Sequence, residues 1–165
     1  MGEAVTQLEA GFQELAAREG KYLTFALGKE EYGLEILKVK EIIGMMDITY
    51  VPNVPSYVKG VINLRGKVIP VVELRLKFGM ESIPYTERTC IIVVDVQVNG
   101  RSVLVGIVVD AVSEVLNINR EEIENTPNFG TEMDTSYILG MAKVKGQVKI
   151  LLDIDKVLDN SEMSL

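Results

Sequence analysis

Residues 60–74 run Gly60-Val61-Ile62-Asn63-Leu64-Arg65-Gly66-Lys67-Val68-Ile69-Pro70-Val71-Val72-Glu73-Leu74. Two apolar, largely β-branched runs, Val61 to Leu64 and Val68 to Val72, flank Arg65-Gly66-Lys67. Branched side chains fit a pleated sheet and the glycine supplies the tip, so the stretch predicts a hairpin. Glu73 to Phe78 then turns helical and stops at Gly79, a C-cap. The same signature returns later in the chain. Tyr57, Gly60, Gly66, Val68, Glu73 and Leu74 recur 80 residues on as Tyr137, Gly140, Gly146, Val148, Asp153 and Ile154.

Upstream, Gly33, Val39, Glu41, Ile42 and Ile43 recur 73 residues on as Gly106, Val112, Glu114, Val115 and Leu116. The two offsets differ by an insertion around Asn117 to Pro127. Each half therefore reads strand, hairpin, short helical turn, strand, proline-containing connection, hairpin, short helix. Short strands punctuated by turns predict small barrels rather than a parallel α/β sheet, whose crossovers need longer helices. The fold class expected is mainly β: two five-stranded barrel subdomains with a groove between them, where a partner would bind. The body spans 21–160, with halves at about 21–79 and 90–159 and a linker from Gly79 to Thr89. Residues 1–20 carry Val5, Leu8, Phe12 and Leu15 on one helical face, a short amphipathic helix or tail, and 161–165 are a C-terminal tail.

Composition removes most chemistry. The chain has 165 residues, 47% of them hydrophobic, and no histidine, which excludes imidazole acid–base catalysis, Ser-His-Asp triads and the usual zinc sites. Its glycines are never closer than five positions, so no G-x-G-x-x-G exists, and Gly28 and Gly33 are followed by Leu34 where a P-loop needs lysine. Asp134-Thr135-Ser136 reads as a turn or cap, and Asp153, Asp155 and Asp159 lack the spacing of a calcium loop. Cys90 lies in a buried-strand run and reads as packing. No cofactor or metal is expected. A net charge of −7 disfavours nucleic acid, and no apolar run approaches the ~18 residues of a membrane span, so the chain reads as soluble and cytoplasmic.

The segment Gly60 to Arg75 resembles the CheW family. So do Glu31-Tyr32-Gly33, Val39-Lys40-Glu41-Ile42, Val105 to Asp110, Val112-Ser113-Glu114-Val115 and Ile150 to Asp153. The likeness runs from Tyr22 to about Leu158. It implies two intertwined SH3-like five-stranded β-barrels, no catalysis, and an adaptor linking chemoreceptors to the histidine kinase CheA in chemotaxis. The partners so implied are the cytoplasmic tip of a chemoreceptor and the C-terminal regulatory domain of CheA, with the protein recruited to membrane receptor arrays without inserting in the membrane. That kinase domain and the CheV adaptors share the motifs, but this chain has no room for a kinase core or a receiver domain.

Five residues form the expected receptor or kinase interface. Arg65, at a hairpin tip, suits directed contacts through its planar guanidinium. Glu41 matches the family motif as a partner contact, or is an exposed strand residue, since Glu114 holds the same repeat position. Asn63 bonds its own turn or a partner; Val39 is core or the floor of a receptor groove. Phe129, an aromatic in the polar loop Pro127-Asn128-Phe129-Gly130, is tucked under the loop or presented as an anchor. Lys149 has no family motif around it and is expected to tolerate charge reversal. Two other classes compete: a small-ligand-binding β-barrel, and a hydrolase working with carboxylates.

Overall fold

More than a fifth of the chain is Val or Ile, and most of those among the described residues sit in strands. The computed structural model describes residues 19–127 and 135–158. The first half contributes β1 (Gly20–Leu27), β2 (Glu30–Glu35), β3 (Val39–Gly44), β4 (Val58–Leu64) and β5 (Lys67–Glu73). The second contributes β6 (Cys90–Val98), β7 (Arg101–Val109), β8 (Ala111–Ile118), β9 (Ile123–Glu124), β10 (Ile138–Val144) and β11 (Gln147–Leu152). One-turn helices α1 (Leu74–Lys77) and α2 (Ile154–Val157) follow β5 and β11. The expected N-terminal helix, Phe129 and the tail at 161–165 lie outside the described residues.

Two sheets result, in the orders β8-β1-β2-β11-β10-β9 and β3-β6-β7-β5-β4. The halves exchange strands. The β1–β2 hairpin sits between β8 and β11 of the second half, and the β6–β7 hairpin sits between β3 and β5 of the first. Replacing each strand by its repeat partner converts one five-strand order into the other, which is the intertwined arrangement of the SH3-like reading. Parallel contacts stitch the exchange at matching points: Val71 opposes Gly106, and Leu151 opposes Gly33. Both glycines are needed for close approach, since a Cβ would stand 2.8 Å from Ile91 Cγ2 at Gly106 and 2.9 Å from Leu151 Cδ2 at Gly33. Each sheet also closes on itself. Thr49, after edge strand β3, bridges Val61 on the opposite edge, and β9, after β8, pairs with β10.

Strands in such a pair of barrels face two interiors, so their sequences need not alternate. On β6, Ile91 and Val93 fill the second barrel with Ile62, Ile69, Val71 and Val108. Ile92, Val94 and Val96 instead join Phe25, Leu34, Leu74, Leu152 and Ile154 in a core shared by both sheets. A smaller core of Tyr22, Ile118, Ile123, Ala142 and Leu151 fills the first barrel.

Two ion-pair clamps tie the barrels at related points. Arg75 on α1 donates to Asp110, at the β7–β8 corner, through Nε at 2.7 Å and Nη2 at 2.6 Å. The Gly28 amide of the β1–β2 turn donates to the same carboxylate at 2.7 Å. At the counterpart position on α2 stands Asp155, which accepts from Lys38 Nζ at 2.7 Å and from the Gln97 amide at 3.0 Å. The architecture is repeated, but the polarity of the helix charge is reversed.

Candidate partner-binding site

The tip between β4 and β5 is a two-residue turn with Arg65 at φ 51° and Gly66 at φ 88°. Consecutive left-handed residues give the primed turn whose twist matches that of the strands. Asn63 Oδ1 accepts the Gly66 amide at 2.9 Å, so the Asn63 side chain serves its own turn. This aims Arg65 across the barrel mouth at β3. There its Nη1 donates to Glu41 Oε1 at 2.9 Å, and Nη2 bonds the other carboxylate oxygen. Hydrogen bonding from Arg65 holds the Glu41 carboxyl below the ordinary carboxylate range, with burial opposing. Glu41 follows a register shift between Val39 and Glu41. Val39, half-buried, packs against the shared core.

Two residues read separately in the sequence are thus one bidentate pair. Nothing local links them, because they stand 24 positions apart in the chain. Beneath them lies an open cavity of about 660 Å³. Leu64, Ile69, Val93 and Leu104 give it an apolar lining, and Lys40 and Lys67 also border it. The sequence reading missed this floor, although the alternation of Ile69 and Val71 on β5 carried the signal. It also missed Leu37, 89% exposed on the one-turn Ile36–Lys38 segment.

The expectation for Lys149 is corrected. Its side chain is only 8% exposed and its ammonium pairs with Glu31. Strand β11 points Val148 outward (49% exposed) and Lys149 inward, the period-two rule that a motif search ignores. Cys90 is half-buried, and burial pushes its thiol pKa up, which suits packing rather than nucleophilic chemistry. Among the described residues no three of His, Cys, Asp and Glu converge as metal ligands, and no helix is long and apolar enough to cross a membrane.

Residues 21–162 match the CheW-like domain family. The chain is 43% identical over 145 residues to the chemotaxis protein CheW of Klebsiella aerogenes, covering 88% of this chain and 85% of that protein. It is 35% identical over 162 residues to the chemotaxis protein CheW of Rhizobium meliloti, covering 98% and 97%. The crystal structure of the scaffolding protein TtCheW from Thermoanaerobacter tengcongensis aligns with a TM-score of 0.76 at 33% identity, covering 89% of this chain and 97% of that one.

Proposed function

The chain belongs to the CheW-like family of chemotaxis scaffold proteins, and on that premise we propose that it joins a chemoreceptor's cytoplasmic tip to the C-terminal regulatory domain of the histidine kinase CheA. It does so without catalysis, in the cytoplasm, recruited to membrane receptor arrays. The carrying observation is the Arg65–Glu41 pair standing over an apolar cavity. Arg65 is 70% exposed in that pair, and exposed ion pairs contribute little to folding. Its geometry therefore serves recognition, where a planar fork and an apolar floor are what a hot spot uses. Val39, two positions before Glu41 on β3, and Phe129, which lies outside the described residues, are proposed as further contacts of the same interface.

Titration calorimetry of the receptor tip and of the kinase regulatory domain against wild type and Arg65→Glu tests this reading. Reversing an interface charge replaces attraction by repulsion, so affinity for one partner should fall by about a hundredfold or more. Unchanged affinity for both partners, with both proteins folded, would remove this face from the site.

A further inference from the structure

We propose that the Lys149–Glu31 ion pair is a stopper: it shuts the mouth of the first barrel, so that a partner's apolar side chain flanked by a carboxylate enters only the mouth beneath Arg65 and Glu41. The inference deepens the reading of that face as a docking site and rests on it.

The registers establish which positions correspond. In the second barrel Gly106 pairs with both Val71 and Val93; in the first, Gly33 pairs with Leu151 and Thr24. Moving two residues back along the strands, Ile69 corresponds to Lys149 and Leu104 to Glu31, while Val93 corresponds to Thr24. Three of the four apolar lining residues of the open cavity are therefore replaced, position for position, by a cation, an anion and a hydroxyl, while the fourth, Leu64, has Val144 as its counterpart. Lys149 Nζ bonds the Glu31 carboxylate and reaches Gln147 Oε1 at 3.4 Å. Ser113 Oγ donates to Glu31 Oε1 at 2.8 Å, and Thr24 Oγ1 to the Glu114 carbonyl at 2.9 Å. Ser113 and Gln147 are themselves the counterparts of Lys40 and Lys67 at the open mouth.

Folding does not require this network. The second barrel builds the same sheet with Ile69, Val93 and Leu104, and exchanging a buried ion pair for apolar residues is often neutral or stabilising. What the pair supplies is rejection: an apolar group entering the first mouth would have to displace or desolvate Lys149 and Glu31, the repulsive half of specificity. The open mouth offers the opposite. Its floor is apolar, Arg65 is engaged by Glu41, and Lys40 lies 3.8 Å from Asp95. Lys67 pairs with no carboxylate among the described residues and is left to meet one on the partner.

The test uses 1-anilinonaphthalene-8-sulfonate, an apolar ring system carrying an anion, with melts recorded for every variant. Wild type should bind one equivalent, and Lys149→Ile/Glu31→Leu/Thr24→Val should bind two. The reverse transfer, Ile69→Lys/Leu104→Glu/Val93→Thr, should bind none while remaining folded. A folded first variant that still binds one equivalent overturns the proposal, as does a folded second variant that keeps its site. Collapse of both variants overturns it too, since the stopper is held to be dispensable for folding and transferable between the barrels. Receptor tip and kinase domain titrated in parallel separate the two readings. If dye stoichiometry follows the stopper while Arg65→Glu leaves both partners bound, the docking assignment fails and the stopper stands.

Discussion

Asp110→Asn breaks the Arg75 clamp with little change of shape. The asparagine keeps one oxygen for Arg75 or for the Gly28 amide but removes the charge that holds the guanidinium. Hydrogen bonds to charged groups contribute about 1.5–3 kcal/mol, and removing one partner of a buried pair costs about 3–5. The Arg75 and Asp110 side chains are 12% and 21% exposed, so solvent screens part of this, and a loss of about 2 kcal/mol is expected. At about 2–4 °C per kcal/mol for a chain of this length, the melting temperature should fall by about 4–8 °C. Hydrogen bonding from Arg75 holds the Asp110 carboxyl below the ordinary aspartate value, burial opposes this, and the Gly28 amide and the Arg75 charge lower it further. A carboxylate depressed in the folded state contributes stability above its unfolded pKa, near 3.9, and loses it as the pH falls through the folded value. Thermal melts followed by circular dichroism should show a wide gap between wild type and variant at neutral pH that closes in acid. Other carboxylates titrate in both proteins, so the gap isolates Asp110. No gap at neutral pH, or a gap that persists undiminished in strong acid, would refute the clamp.

Gly60→Ala should cost about 3 kcal/mol or more, a sharp loss in a melt, because φ is +142° and a Cβ would stand 2.0 Å from the Thr49 carbonyl oxygen that closes the second barrel. Gly140→Ala, facing Ile123 Cγ2 at 2.9 Å, should be milder in the same assay. Lys149→Glu sets a second carboxylate against Glu31 in the barrel and should destabilise by about 3 kcal/mol in denaturant titrations, whereas the paired exchange Lys149→Met/Glu31→Leu should stay within about 1. Glu41→Gln should leave the melt unchanged yet weaken the partner that Arg65→Glu weakens. Since Arg65 depresses the Glu41 carboxyl, wild-type binding should hold as pH falls through the ordinary glutamate range and fail only below it.

The strands were legible because their causes are local. Branched runs such as Ile91 to Val94 and glycine-bearing tips such as Arg65-Gly66 and Lys145-Gly146 mark strand and turn wherever they stand. The repeat extended this to two similar halves. It left open which hairpin joins which sheet, because pairing is non-local and each half fits its own copy as well as the other. The unalternated run at Ile91 to Val94 held the missing hint, since a strand buried on both faces needs a second layer. Arg65 was legible as a tip residue, whereas its bond to Glu41 depends on sheet closure. Lys149 was misread for want of one step: the 80-residue offset had already placed it on Ile69, a core position.

That step bears on how a duplicated chain comes to have two different faces. Duplication with exchanged strands yields two equivalent mouths and two equivalent clamps, and equal mouths would compete for one partner. The halves differ in sequence at many positions, and the differences at the mouths and clamps break the equality while the sheets keep the same strand order. Charges replace Ile69 and Leu104 at Lys149 and Glu31, and the helix charge changes sign between Arg75 and Asp155. Because Phe25, Leu34, Ile92 and Leu152 belong to one shared core, the barrels are packed as a unit, and the difference between mouths is held in a fixed relative orientation. An adaptor needs that combination: faces alike enough to fold from one repeated pattern, and different enough in charge to bind unlike partners from fixed directions.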